Sequence, residues 1–440
     1  DPTAKKKRTD RLDNIFLHRV GGYAILFSVL FILFQSVFWM AKFPMDAIEW
    51  IFTNVTTYLN TILPNVWWQD LLVNGLVAGI GGIVIFVPQI MILFGLITLL
   101  EDTGYMARIS FLSDKLMRKV GLNGKSVMPM ISGFACAVPA IMSARNIENK
   151  KERLLTIMVT PFMSCSARLP VYTILISLVI DNKFYFGFLS LQGLVMMGLY
   201  LIGIIMALLV SMVLKWFVKI KEKSYFILEL PVYRAPRWGN VVVTMIQKAK
   251  IFVTDAGKVI IVISLLLWFL SSYGPGEQMK KLEETHIQQV AATPQNKVQL
   301  DKEYLTHKLE NSYAGILGKN IEPIIAPLGF DWKMGIAIVT SFAAREVFVG
   351  TMATLYSVEA SDNTSLTEKL RAAKRPDGTP VYSLAAALSL MIFYVLAMQC
   401  MSTLAVVKRE TQSWKWPVLQ FFMMTGLAYF ISWGVYVIAK

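Results

Sequence analysis

Histidine and cysteine are scarce in this chain, three of each in 440 residues, and charged residues make up only 16% of it. An odd number of cysteines cannot close a paired disulfide framework. His18, His286 and His307 are scattered over polar stretches, which argues against a histidine-built metal centre. A complete phosphate loop is also lacking: Gly124-Lys125-Ser126 could end one, but Lys119 stands where its first glycine belongs, and no strand precedes it. No nucleophile-and-base constellation is present, so the chain is not expected to be an enzyme by its own residues. The apolar runs show no period-two alternation, which excludes a β-barrel.

What is abundant is hydrophobic length. The chain is 55% hydrophobic with a mean hydropathy of +0.54, far from a soluble domain. Gly22–Ala41, Phe186–Leu214 and Val259–Leu270 supply, alone or with their flanks, the roughly 20 residues that a helix needs to cross a hydrocarbon core. An all-α polytopic membrane protein follows. The net charge of +14 would suggest nucleic acid in a soluble protein, but here Lys and Arg cluster in particular loops, as positive-inside sorting requires. The expected partner of the surface is the lipid bilayer, with no nucleic acid.

Those clusters orient the chain. Residues 1–19, with Lys5, Lys6, Lys7, Arg8, Arg11 and Arg19, read as a basic cytoplasmic juxtamembrane segment. Residues 20–122 hold the first spans. There Val20–Ala41 crosses outward, Asp46–Leu63 lies in the interface, Leu71–Leu100 returns, and Glu101–Leu122 forms an amphipathic helix on the inner surface. Its apolar face is expected to carry Tyr105, Ile109, Phe111, Leu112 and Leu116, and its polar face Arg108, Lys115, Arg118 and Lys119. Val127–Met142 is too short for an ordinary span and carries Pro129, Gly133 and Pro139, so it reads as a hairpin entering and leaving on one side. Leu154–Ile180 is a span broken at Pro161 and around Ser164–Pro170, and 123–185 forms a first repeat. Residues 186–250 give a span and a basic cytoplasmic loop. Residues 251–440 form a second repeat, with extracytoplasmic insertions at 274–312 and 359–380, a second hairpin over Met334–Tyr356, a broken span Ser383–Val407 and a last crossing. The charges predict seven crossings and two re-entrant hairpins, N-terminus inside and C-terminus outside. The alternative is eight spans with both termini inside.

The two repeats are legible as such. Ile131-Ser-Gly-Phe-Ala135 corresponds to Val339-Thr-Ser-Phe-Ala343 at an offset of 208 residues, and Met163, Cys165 and Leu169 to Met398, Cys400 and Leu404 at an offset of 235. With the hairpins opening to opposite sides, the halves form an inverted repeat, an architecture that places a substrate site near the midplane.

All three cysteines fall in interrupted apolar segments: Gly133-Phe-Ala-Cys-Ala-Val-Pro139, Pro161-Phe-Met-Ser-Cys-Ser-Ala-Arg-Leu-Pro170 and Met398-Gln-Cys-Met-Ser-Thr403. A soft sulfur beside unpaired carbonyls at membrane depth suits a transition metal. Cys136, Cys165 and Cys400 are therefore the candidate metal contacts, with Met163 and Met398 as thioether candidates and Glu346 as the candidate charge in the second hairpin. The competing reading makes each cysteine a small packed hydrophobe, each methionine filler, and Glu346 an ion-pair partner of Arg345.

Leu99-Leu-Glu-Asp-Thr-Gly-Tyr-Met-Ala-Arg108, Gly133-Phe-Ala-Cys-Ala-Val-Pro-Ala-Ile-Met142, Pro161-Phe-Met-Ser-Cys-Ser-Ala-Arg-Leu-Pro-Val-Tyr172, Ser341-Phe-Ala-Ala-Arg-Glu-Val-Phe-Val-Gly-Thr351 and Met398-Gln-Cys-Met-Ser-Thr-Leu-Ala405 resemble the membrane portion of the FeoB ferrous iron transporters, a likeness running from Leu12 to about Ala439. The resemblance implies Fe(II) import through paired Gate segments in the bacterial inner membrane. Cys136, Cys165 and Cys400 match the family's candidate metal contacts. It further implies regulation by GTP and Mg in an N-terminal G domain that these residues do not contain, and a small FeoA-type partner. No cofactor is expected in this chain itself, and association into homo-oligomers is left open. The order of spans and hairpins also resembles concentrative nucleoside transporters, so an organic-solute transporter is the alternative, although such a site would want Asn, Gln and Glu in both hairpins.

Overall fold

The structure, a computed structural model, describes residues 9, 12–18, 21–64, 67–134, 136–180, 184–185, 189–218, 232–275, 281–282, 284–286, 288–289, 297–342, 345, 347–356, 363–375, 378–398 and 400–440. These are overwhelmingly helical; two two-residue strands, Phe184–Tyr185 and Leu189–Ser190, pair antiparallel. An all-α membrane protein is what the sequence dictates, and four helical stretches among the described residues are long and apolar enough to cross a bilayer: Trp67–Asp102, Leu191–Phe217, Leu384–Thr411 and Lys415–Ala439.

An N-terminal helical turn at residues 12–16 precedes α1 (Gly21–Ile62), which is followed by short helical segments that include a π turn at Leu71–Val77 and lead into α2 (Val87–Asp102). Then come α3 (Tyr105–Lys119), the short pair α4 (Val127–Gly133) and α5 (Ala137–Ser143), and α6 (Lys150–Val159) with α7 (Leu169–Val179). The long α8 (Leu191–Val218) precedes α9 (Trp238–Ile251), which passes through a second π turn, Phe252–Ala256, into α10 (Gly257–Ser272). The remainder comprises α11 (Lys297–Asn311), α12 (Tyr313–Ile325), the pair α13 (Trp332–Thr340) and α14 (Val347–Leu355), α15 (Asn363–Ala372), α16 (Leu384–Leu396), α17 (Met401–Thr411) and α18 (Lys415–Ala439).

Two expectations are corrected here. The first span and the interfacial segment Asp46–Leu63 are one continuous helix, α1, which carries Pro44 in its interior. At 1.5 Å per residue its 42 residues extend about 63 Å, roughly twice a hydrocarbon core. In α3 the buried face is Tyr105, Met106, Arg108, Ile109, Ser110, Ser113 and Met117, whereas Phe111 and Leu116 are exposed. Arg108, assigned to the polar face, is only 1% exposed because it has an acidic partner far away in sequence.

The chain divides into two compact units. Unit 1 comprises Asp1–Cys165, Ile204–Ile261 and Ala405–Pro417. Its apolar core joins Ile83, Ile90 and Phe94 to Val138, Ile141 and Ile147 around the first hairpin, with Ile157, Phe252, Val406 and Val407 packed in. Unit 2 comprises Ser166–Gly203, Val262–Leu404 and Val418–Lys440. Its core is built on α16, whose residues are buried almost throughout, together with Val171, Tyr172 and Leu175 of α7 and Met334, Ile336 and Ala337 of α13. The outward apolar side chains are large: Phe31, Trp39 and Phe43 on α1 and Phe422, Phe430 and Ile438 on α18 stand exposed, as lipid-facing surfaces require.

Element boundaries repeat along the chain. In each half a pair of short helices precedes a longer helix pair: α4 and α5 then α6 and α7, and α13 and α14 then, after the intervening α15, α16 and α17. The arms of both short pairs pack against one another; in the second, the Thr340 and Thr351 hydroxyls are 2.9 Å apart.

Truncating Leu390→Ala in α16 is expected to cost about 2–5 kcal/mol, the range for a buried leucine. Phe430→Ala on the exposed face of α18 should cost about 1 kcal/mol or less in a lipid environment, where apolar surface remains solvated. Denaturant unfolding in nanodiscs checks both.

Candidate functional site

The sequence places helix breakers where the structure breaks helices. Pro161 cannot donate to the ladder, so α6 tightens into a 3-10 turn over Thr160–Phe162 and Met163 turns extended, with φ −60° and ψ 128°. Ser164 and Cys165 stay non-helical, a second 3-10 turn follows over Ser166–Arg168, and Pro170 starts α7, where a missing N–H costs nothing. Met163, at 2% exposure, and Ser164 are buried, and Cys165 is half-buried.

In the first short pair, α4 ends at Gly133, and Cys136 is extended at φ −157° and ψ 133°, immediately before α5. Its N–H donates to the Ser132 carbonyl at 3.2 Å, and its own carbonyl accepts from Ala140 N–H at 3.4 Å. The half-buried thiol packs against the unit 1 core. Gly133 is glycine for a reason of space. A Cβ there would lie 3.0 Å from the Met163 Cβ and 3.4 Å from the Thr160 Cγ2, so the turn between α4 and α5 and the break between α6 and α7 touch backbone to side chain.

Unit 2 builds the equivalent junction by hydrogen bonds. α16 ends as Ala397 turns extended, with ψ 146°, and Met398 is buried at 1% exposure. Cys400 is half-buried and caps α17, its carbonyl accepting from Thr403 N–H at 3.1 Å and Leu404 N–H at 3.4 Å. Met401 N–H donates to the Phe342 carbonyl at 3.2 Å, which ties the break to the turn of the second short pair. The Tyr394 hydroxyl bonds the Ser341 hydroxyl at 3.1 Å, and the Phe348 and Tyr394 rings meet edge-on at 4.9 Å.

Arg345, 4% exposed, closes this junction. Its guanidinium donates to the Tyr394 carbonyl at 3.2 Å and the Ala397 carbonyl at 3.3 Å, the groups left open where α16 stops. A cation at a helix C-terminus also complements the helix dipole. Sequence reasoning weighed Arg345 only as a partner for Glu346 and missed this role. Its one visible signal was an arginine in an apolar turn aligned with the cysteine-bearing turn of the other half. Glu346 lies outside the described residues, as do Ala343, Ala344 and Gln399.

Cys136 and Cys165 thus belong to unit 1 and Cys400 to unit 2. Each stands at non-helical backbone with a buried methionine in its own unit, Met163 for the first two and Met398 for the third. Among the described residues no three His, Cys, Asp or Glu side chains gather into one cluster. The turn after α4 and the breaks after α6 and α16 each place one thiol beside non-helical backbone, and a thiol sulfur is a soft donor.

Charge collects elsewhere in unit 1. Arg145, just past α5, holds Glu410 of α17 through Nε at 2.7 Å and Nη2 at 2.5 Å. Asp102 accepts from the Asn240 amide at 3.1 Å. Lys248 lies over the Phe94 ring at 5.1 Å, its ammonium pushed below the usual lysine range by burial and then by Arg145.

The structure is that of a polytopic helical membrane protein whose helices are interrupted in pairs. A family model described as Gate, nucleoside recognition, matches residues 83–178 and 253–414, more than half of the chain. A second, described as ferrous iron transport protein B C terminus, matches residues 196–248. The chain is 44% identical over 433 residues to the Fe(2+) transporter FeoB of Leptospira biflexa, covering 98% of this chain and 60% of that protein. It is 40% identical to the FeoB of Leptospira interrogans, with 99% and 60% covered. A Porphyromonas gingivalis protein named as a fusion of Fe(2+) transport protein A and Fe(2+) transporter FeoB is 38% identical, with 98% and 51% covered. The chain belongs to this FeoB family, and it spans about 60% of the length of the Leptospira relatives it matches. No solved structure matches it.

Gly133→Val is expected to part the hairpin turn from the Met163 break and to destabilise by about 1–3 kcal/mol, as overpacking does. Arg345→Gln should cost about 2 kcal/mol through its two charge-assisted bonds. Thermal unfolding in detergent, scanned for each variant against the wild type, measures both.

Proposed function

We propose that this chain forms the membrane path by which ferrous iron is imported across a bacterial inner membrane. The observation that carries the reading is that all three cysteines stand at non-helical backbone within the Gate-matching residues, in a chain 44% identical to a protein named Fe(2+) transporter. In this reading the α4/α5 and α13/α14 pairs are re-entrant hairpins and residues 123–185 and 251–440 are inverted Gate repeats, as in concentrative nucleoside transporters. The helix-by-helix correspondence of the halves supports it. Fe(II), shedding water, is passed among the sulfurs of Cys136, Cys165 and Cys400, with Met163 and Met398 as softer contacts and Glu346 as the attracting charge.

The chain itself performs no chemistry in this account. GTP regulation belongs to a nucleotide-binding domain of the longer proteins, and the fused protein of P. gingivalis supports a small FeoA-type partner. The family-model description favours a second reading, an organic solute of nucleoside type. Against it, the first hairpin turn offers Cys136 and no Asn, Gln or Glu at Gly133–Cys136.

Cys165→Ser or Cys400→Ser in the full-length protein should lower initial Fe(II) uptake by about tenfold or more, normalised to membrane abundance, because serine keeps the volume and removes the soft donor. Wild-type uptake in both variants and in the double variant would move the path to backbone carbonyls. Uptake of labelled nucleoside by the same cells, competed by no metal, would select the second reading. A separate check concerns topology: residues 277–310 should be cleaved by protease added outside spheroplasts, and protection there would overturn the seven-crossing arrangement.

A further inference from the structure

Among the described residues of unit 1, Arg108 is the most heavily buried charge, at 1% exposure. Arg108 donates through Nε to Asp13 Oδ1 at 2.9 Å and through Nη2 to Oδ2 at 3.1 Å, a bidentate pair joining residues 95 apart. Its Nη1 donates to the Gly104 carbonyl at 2.9 Å, and its guanidinium carbon lies 4.1 Å above the Tyr233 ring. Phe16 packs on both tyrosines, 5.3 Å from Tyr105 and 6.0 Å from Tyr233. The N-terminal turn, α3 and the stretch leading to α9 therefore meet on one guanidinium. Only arginine supplies this fork and this stacking face together.

From there α3 runs directly to the hairpin. Asp114 Oδ1 accepts the Gly124 N–H at 3.0 Å, and a Cβ on Gly124 would meet the Ser110 carbonyl at 2.5 Å, so α3 and the start of the hairpin are in backbone contact. Asn123 caps the following turn and donates to Glu152 Oε2 at 3.0 Å, while Ser126 and Thr156 share a bond of 2.8 Å. These fasten the hairpin's entry to α6, and six residues past Val127, where α4 begins, the chain reaches Gly133, pressed on Met163. A continuous set of rigid contacts, all in unit 1, connects Asp13 to the hairpin that carries Cys136.

We infer that Arg108 is a positioning residue, the joint through which the segment before the first span sets the placement of the Cys136 hairpin. The inference builds on the reading of Cys136 as part of an iron path and adds how that part is held and moved. With the pair made, the hairpin turn is seated on Met163. With the pair broken, an uncompensated buried charge pushes α3 off the N-terminal turn, and the hairpin entry follows through Gly124.

The test is per-cysteine alkylation by N-ethylmaleimide in native membranes, read by mass spectrometry, for Asp13→Asn, Arg108→Gln, Arg108→Lys and Lys115→Gln. Lys115 is an exposed cation on the same helix. Asp13→Asn and Arg108→Gln should change the Cys136 labelling rate about threefold or more, leaving Cys400 at its wild-type rate. Arg108→Lys should fall between them and wild type, and Lys115→Gln should match wild type. Unchanged Cys136 labelling in Asp13→Asn and Arg108→Gln overturns the inference. So does a parallel rise at all three cysteines, which marks general loosening; Asp13→Asn, the milder change, keeps the test open if Arg108→Gln does not fold. Because labelling needs no iron, a chain that fails to carry Fe(II) leaves this readout intact, and the two failures are told apart.

Discussion

A backbone amide in hydrocarbon must find its partner inside the protein, and the rest of this molecule is arranged around the places where helices stop short of providing one. Four such places matter: the turns after α4 and α13, and the extended stretches after α6 and α16. Each is lined by buried neighbours. In unit 2 Arg345 and the Met401 amide take over backbone carbonyls, and the Tyr394 and Ser341 hydroxyls bond one another beside them. In unit 1 the neighbours pack, glycine against methionine, and the Thr156 and Thr160 hydroxyls bond back along α6. A thiol placed at such a site is near carbonyls whose helical bonds are already spent elsewhere.

Charge serves the same economy of position. Arginine recurs where a helix end or a distant carboxylate has to be held: Arg345 at the end of α16, Arg371 on the Ser177 and Leu178 carbonyls at the end of α7, Arg145 on Glu410, and Arg108 on Asp13. A planar fork donates to two acceptors at once and remains charged in any surroundings, which lysine does not guarantee.

Much of this was legible because the breaks are written in residue types with a backbone consequence. Pro161 and Pro170 bracket one break, Gly133 and Pro139 frame another, and the cysteines mark both. The break after α16 has neither proline nor glycine between Ala397 and Cys400 and was visible only through its likeness to the first half. What stayed hidden depends on contacts distant in sequence. Nothing near Arg108 announces Asp13 or Tyr233, so amphipathic spacing assigned it to solvent. Phe111 and Leu116 stand exposed, as the apolar side of a helix at a membrane surface would; an apolar side chain in a membrane protein has two places to go, and spacing alone does not distinguish core from lipid.

The two π turns, Leu71–Val77 before α2 and Phe252–Ala256 before α10, carry a consequence for how the chain tolerates change in length. A π turn accommodates one residue more than the α-helix around it, so the extra residue is absorbed within the turn and the helical faces on either side keep their alignment. Loss of a single residue there would return the helix to regular α form and leave the faces beyond it in place, whereas the same loss in the regular helix on either side would turn everything beyond it by about 100° and swing core side chains toward lipid. These two segments are therefore where the structure tolerates a one-residue deletion best.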